Sequence, residues 1–307
     1  MPASTRYPQG LLVSCEIPWN NQEKLNEKVF RQEIQHFLRC GFRHIYIFGT
    51  AGEGYAVDTQ QFRTIVEIFY EETRQSDVYP QVGIVGLSTA NVRERIEIAH
   101  RAGFRMFQIS LPCWGALNDR EVLRFFREVC GAYSDSKFLH YNLQRSKRLL
   151  GARDYRRIAD QVPNLVATKN TSPNISFASE LMRNVPELQH FFGEAVFPTA
   201  CLHGECSLLS SFAPMFPSST LKLFELARSK RIEESLFLQR DYLTAVWTII
   251  APMMQQERMD GAYDKVIVRL GGFPMPFRLL SPYESIPEET YLKCKQILEE
   301  KFRTWMG

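Results

Sequence analysis

Val166-Ala167-Thr168-Lys169-Asn170-Thr171-Ser172 ends a short apolar run on a lysine and passes at once into small polar residues. Such a run reads as a buried strand, so the cation at its end stands where charge is costly. An ammonium is buried only if it is paired or neutralised. A neutralised amine at the mouth of a pocket is a nucleophile that forms a Schiff base with a carbonyl carbon. A lysine that leaves the strand and snorkels to water is the ordinary alternative, and for this residue taken alone that alternative leads.

Working outward from residue 169, short β-rich runs recur at 11–17, 44–48, 81–85, 105–111, 137–141, 165–169, 188–192 and 205–209. Between them lie amphipathic segments such as 27–38, 60–70, 92–100 and 121–129, in which apolar residues return at helical spacing. Eight strand–helix units predict a parallel sheet covered by helices, and eight is the number at which it closes into an α/β (β/α)8 TIM barrel. An open doubly wound sheet is the competing arrangement, but no Gly-x-Gly-x-x-Gly turn follows the first strand. After about Arg231 the strand signals stop and helical patterns continue through 231–256, 263–270 and 288–302. The division expected is a barrel domain over 1–230 and an appended C-terminal helical region over 231–307.

The bulk numbers narrow the classes of function. A net charge of +3, from 37 basic and 34 acidic residues in 307, gives no general attraction for nucleic acid or a membrane surface. The longest apolar stretch, 242–254, is too short to span a bilayer and contains Pro252, so it reads as a buried helix. Seven scattered cysteines without a Cys-x-x-Cys pair indicate free thiols, and the N-terminus lacks the apolar core of a signal peptide. A cytoplasmic protein is expected.

In a barrel of this kind the site is built at the C-terminal ends of the strands. Three unusual segments fall there: Gly49-Thr50-Ala51-Gly52-Glu53-Gly54 after the second strand, His140-Tyr141-Asn142 at the fifth, and Lys169 at the sixth. The glycines free backbone N–H groups to face a carboxylate. Tyr141, one strand from Lys169, offers a phenol able to move protons as a carbinolamine loses water. Cys201-Leu202-His203-Gly204-Glu205-Cys206 has the composition of a metal site, but a fourth ligand is missing, and no metal or other cofactor is expected.

These three motifs, taken in order, resemble the Schiff-base lysine superfamily of dihydrodipicolinate synthase and N-acetylneuraminate lyase. The resemblance extends to Gly193-Glu194, to Gly204-Glu205-Cys206-Ser207 and to Pro276-Phe277-Arg278-Leu279-Leu280-Ser281-Pro282. It implies an imine between Lys169 and pyruvate or a related 2-keto acid, including 2-keto-3-deoxy sugar acids. Proton transfer would fall to Tyr141 and the Thr50 hydroxyl. It implies a carboxylate resting on the N–H groups of Thr50 and Ala51 beside Gly52, a pocket lined by Gly193, Glu194 and Ser207, and a homotetramer. Glu53 would brace the loop.

Three departures point away from dihydrodipicolinate synthase itself. Ala51 stands where the family carries a second hydroxyl residue. Pro112-Cys113-Trp114 replaces Pro-Tyr-Tyr, and an indole cannot relay a proton through a hydroxyl. Tyr141-Asn142-Leu143-Gln144-Arg145-Ser146 lacks the proline of Tyr-Asn-x-Pro-x-Arg and places its arginine one position early, leaving Arg145 as the candidate to meet an acidic tail. The expected activity is an aldolase or dehydratase acting on a keto acid. The alternative is a keto-acid-binding protein on the same scaffold that has lost turnover.

Overall fold

The computed structural model describes residues 6–305. Eight strands, β1 (Leu11–Ser14), β2 (His44–Ile47), β3 (Tyr79–Ile84), β4 (Met106–Ile109), β5 (Lys137–Asn142), β6 (Leu165–Asn170), β7 (Gln189–Phe192) and β8 (Ser207–Leu209), form one closed barrel. Each pairs in parallel with the next, and β8 returns to β1 through Leu11–Leu208 and Leu12–Leu209. Each strand is followed by a helix: α1 (Glu27–Arg39), α2 (Thr59–Thr73), α3 (Thr89–Ala102), α4 (Asp119–Cys130), α5 (Ala152–Ala159), α6 (Ile175–Asn184), α7 (Phe197–Ala200) and α8 (Pro217–Arg228). Beyond the barrel lie α9 (Ile232–Met254), α10 (Asp260–Leu270) and α11 (Glu288–Lys301). The chain is a (β/α)8 TIM barrel with C-terminal helices.

Local chemistry sets the helix starts. Asp58 accepts from the Gln61 N–H at 2.7 Å while its own N–H donates to Gln61 Oε1, and Asn118 and Glu121 repeat this reciprocal cap at α4. The first strand stops at Ser14, three residues before the sequence pattern ends. Pro18 has no N–H to donate, and the chain turns away there after Cys15 has donated to the Tyr46 carbonyl.

The interior divides into layers. Leu12, Tyr46, Leu139, Val166, Ala167, Phe191 and Leu209 meet inside the barrel. A large cluster that includes Ile34, Phe62, Ile96, Phe126, Ile158 and Leu181 sits between strands and helices. A third joins Met215 and Phe216, ahead of residue 231, to Tyr242, Val246, Ile249, Val266 and Leu298 of the C-terminal helices. The helix expected over 242–254 forms, but only one face of it is buried. Trp247 is 51% exposed and Met254 47%.

Candidate active site

Lys169 is held by the pairing of the strands. It stands opposite Tyr141 of β5 and Phe191 of β7, so its side chain points into the upper barrel beside that of Tyr141. It is 2% exposed. Nζ donates to the Tyr46 phenol oxygen at 2.8 Å and to Gln108 Oε1 at 3.3 Å, and lies 3.8 Å from the Tyr141 ring centroid and 4.3 Å from that of Tyr46. Among the described residues no carboxylate bonds it. Burial brings its pKa down from the ordinary lysine value to about 7, against smaller upward pulls from Asp264, Asp260 and Glu16.

A cavity of about 300 Å³ opens over this amine, lined by Tyr46, Thr50, Ala51, Tyr141 and Lys169 on the barrel side. Tyr141 is raised to about 12 by burial, an effect that a hydrogen bond with Thr50 partly offsets, so its phenol stays protonated at neutral pH. The N–H groups of Thr50 and Ala51 make no hydrogen bond to the protein among the described residues. They remain as donors at the cavity rim, the condition for holding a carboxylate.

Two glycines make this geometry possible. A Cβ on Gly49 would come within 2.7 Å of the Tyr46 ring, so a side chain there would displace the phenol that meets Lys169. A Cβ on Gly261 would come within 2.6 Å of the Ala51 carbonyl, which is why α10 can close over the turn. The turn is fixed from outside by Glu53, whose φ of 55° is unusual for a residue with a side chain. Glu53 accepts from Lys265 Nζ at 2.5 Å, Trp19 Nε1 at 2.9 Å and the Leu280 N–H at 2.8 Å.

The remaining residues singled out in the sequence scatter. Glu194 is buried just outside the cavity, receiving the Ser210 hydroxyl at 2.6 Å while its carbonyl receives Gln239. Gly193 opens the same segment, and neither residue lines the cavity. Ser207 opens β8 at the lower end of the barrel, accepting from the Gly10 N–H and from Gln189, because a strand only three residues long puts its first and last residues at different levels. Gly52 packs against the Phe48 backbone behind the turn. Arg145 forms a 2.6 Å ion pair with Asp260, which does line the cavity. Trp114 lies outside it, 82% exposed. The Cys201 and Cys206 thiols lie 3.7 Å apart, while the His203 ring bonds Ser179 instead.

Three groups near the amine were not singled out from sequence. Tyr46 had a signal: it alternates with Ile45 and Ile47, and the next loop holds the glycine turn. Asp264 and Glu16 had a weaker one, an acid inside an otherwise apolar segment. Burial raises Glu16 to about 7, with Lys265 pulling down and Glu53 pushing up. Asp264 is raised well above the carboxylate range by burial and by Glu16 and Asp260, and the Lys169 charge lowers it.

A parallel barrel with a buried, depressed-pKa amine between two phenols at the C-terminal ends of its strands defines the class I, Schiff-base type of aldolase and lyase. Sequence comparison agrees: the profile of the dihydrodipicolinate synthetase family matches residues 7–301. The chain belongs to that family and is an enzyme of its class I aldolase/lyase type. It is 24% identical over 242 residues to the 4-hydroxy-tetrahydrodipicolinate synthase of Chlorobium phaeobacteroides, covering 78% of this chain and 81% of that one. It is 22% identical over 198 residues to the N-acetylneuraminate lyase of an Enterobacter species, covering 64% and 66%. An E. coli K12 prophage protein of the dihydrodipicolinic acid synthase family, solved in complex with pyruvate, superposes with a TM-score of 0.84 at 16% identity. That match covers 95% of this chain and 97% of the other. No helix among the described residues is long and apolar enough to cross a membrane.

Proposed function

We propose that the protein cleaves or forms a bond next to the carbonyl of pyruvate, or of a 2-keto acid that yields it, through an imine at Lys169. The observation that carries this reading is the buried amine itself, without a carboxylate partner and with a pKa near 7. At an ordinary lysine pKa only about one amine in 2,500 is neutral at pH 7, whereas here about half are. The neutral amine attacks the keto carbon while the substrate carboxylate rests on the Thr50 and Ala51 N–H groups. Tyr141, hydrogen-bonded to Thr50, gives a proton to the departing carbinolamine hydroxyl and takes one back in hydrolysis. The protonated imine draws electrons from the adjacent carbons, which become reactive as an enamine forms.

Tyr46 holds the amine from the other side, and Asn142 keeps the loop after β5 in place by exchanging two hydrogen bonds with the Leu150 backbone. The barrel over 1–230 supplies the nucleophile, and the helical region over 231–307 supplies the opposite wall. A homotetramer in the cytoplasm belongs to the same reading, supported by the family and by seven free thiols. Sedimentation velocity tests the assembly. The chemistry is tested by reducing the protein with borohydride in the presence of pyruvate and mapping the adduct by mass spectrometry. A reduced pyruvyl group on Lys169 is expected, and its absence across a panel of 2-keto acids refutes the reading.

A further inference from the structure

The wall facing Lys169 is of two kinds. Leu209, Phe212, Trp247, Ile250, Met253 and Ile267 make it mostly apolar, with Thr171, Ser211 and Tyr263 at its edges and Trp247 packed edge-on against Phe212 at 5.6 Å. Into this apolar surface α10 places two acids one turn apart, Asp260 and Asp264. They differ in occupation. Asp260 is bound by Arg145, so that guanidinium is already engaged rather than free to grip an acidic tail. Asp264 is buried and lines the cavity, and among the described residues its carboxyl makes no hydrogen bond or ion pair within the protein. Lys169 is the sole cation among the cavity-lining residues, and in the imine it is covalently engaged.

A buried carboxyl without a partner is costly unless something supplies one. The imine supplies a cation nearby, which favours the ionised carboxylate, and a substrate hydroxyl supplies the hydrogen bond. A tail bearing its own carboxylate would meet no free cation among the lining residues and, with Asp264 ionised beside the imine, a like charge.

We propose that the substrate is a 4-hydroxy-2-keto acid whose group beyond C4 is uncharged and apolar, and that Asp264 is the catalytic acid/base at the C4 hydroxyl. This rests on the Lys169 imine described above and adds the other half of the substrate. In cleavage the C3–C4 bond breaks, and its electron pair forms the C2–C3 double bond of an enamine as the imine nitrogen loses its positive charge. The C4 oxygen becomes an aldehyde carbonyl as its proton passes to the Asp264 carboxylate. The enamine then takes that proton at C3, and the water lost in forming the imine is replaced on hydrolysis, releasing pyruvate and an apolar aldehyde.

The test supplies the full-length protein with pyruvate and, in separate reactions, benzaldehyde, a medium-chain aliphatic aldehyde and succinic semialdehyde. Formation of the 4-hydroxy-2-keto acid is followed by chromatography. The expected result is kcat/KM at least about 100-fold higher for the two apolar aldehydes than for the acidic one. Asp264→Asn keeps the shape but accepts no proton; turnover is expected to fall by about 10²–10³-fold, with the pyruvate adduct on Lys169 still trapped, which also shows that the variant is folded. Trp247→Ala, at a half-exposed position, is expected to raise KM for benzaldehyde more than it lowers kcat. Should Asp264→Asn not fold, the aldehyde preference and Trp247→Ala still decide.

Preference for succinic semialdehyde, or full turnover in a folded Asp264→Asn, overturns the proposal. A Lys169 adduct with no aldol product from any of the three aldehydes also overturns it, leaving the imine reading intact. Absence of the adduct removes both.

Discussion

Lys265 Nζ sits 2.5 Å from Glu53 Oε1 and donates to the Arg278 carbonyl, whereas Lys169 Nζ meets a phenol, a carboxamide oxygen and two ring faces. Both amines are withdrawn from water, at 0% and 2% exposure. Burial lowers both, but only Lys265 has a bonded carboxylate pulling it back up. The difference separates a lysine that holds the fold from the one we propose reacts. The Lys265 pair locks the glycine turn by gripping Glu53, the same residue that Trp19 and the Leu280 N–H hold. The turn in turn presents its N–H groups beside Lys169, so this ion pair acts on the proposed nucleophile without touching it.

Replacing the proposed nucleophile breaks the comparison most sharply. Lys169→Met is expected to lower turnover by about 10⁵-fold or more, the usual scale for removing a covalent nucleophile, and to abolish the trapped adduct. Thermal stability should be retained, because no bonded carboxylate loses a partner. The sign of the pH effect is also fixed. Between about pH 7 and the ordinary lysine value of 10.5 the unfolded chain binds a proton at residue 169 that the folded chain does not. Native stability therefore rises with pH through that window, and Lys169→Met flattens the rise. Denaturation with urea at several pH values measures it, and an equal slope in both proteins contradicts the lowered pKa.

The structural lysine should fail in the opposite way. Lys265→Met leaves Glu53 buried beside Trp19 with no cation, a change that typically costs about 3–5 kcal/mol. That corresponds to a melting point lower by roughly 5–8 °C for a chain of this length. Adding Glu53→Gln removes the stranded charge and is expected to recover part of the loss. Scanning calorimetry of the single and double variants measures both. No recovery in the double variant would mean that Lys265 contributes through packing rather than through the ion pair.

What the sequence revealed followed the range of the forces involved. The eight strands were legible because each is a local run of apolar residues, and their observed bounds fall within a few residues of the pattern. Lys169, Tyr141 and Thr50 were legible because each ends a strand or follows one, and strand ends converge in a barrel. Ser207 was placed in the pocket because a motif was carried over whole, while the short β8 leaves its first residue at the floor. Arg145 was left free to meet a substrate because its partner, Asp260, is 115 residues away. Asp264 gave only a weak signal for the same reason: its meaning depends on α10 lying across the barrel mouth, a long-range contact that depends on Gly261. Local periodicity reports elements, whereas the site depends on which elements face each other.

The finest distinction between the two lysines lies in a single hydrogen bond. Tyr46 is the closest polar contact of Lys169, and its oxygen accepts from Nζ, which favours the charged amine. The acid limb of kcat/KM should therefore fall near pH 7, where the amine gives up its proton, with Tyr141 staying protonated until about pH 12. Tyr46→Phe removes the acceptor while leaving the ring against Gly49. A net hydrogen bond of about 0.5–1.5 kcal/mol converts to a shift of up to about one pH unit, and its direction is downward, because the ammonium loses a stabilising partner. The variant should then retain more of its maximal rate at pH 6 than the native enzyme does. An upward shift would instead mean that the phenol donates to the neutral amine, making Tyr46 part of what holds the nucleophile ready and not a brake on it.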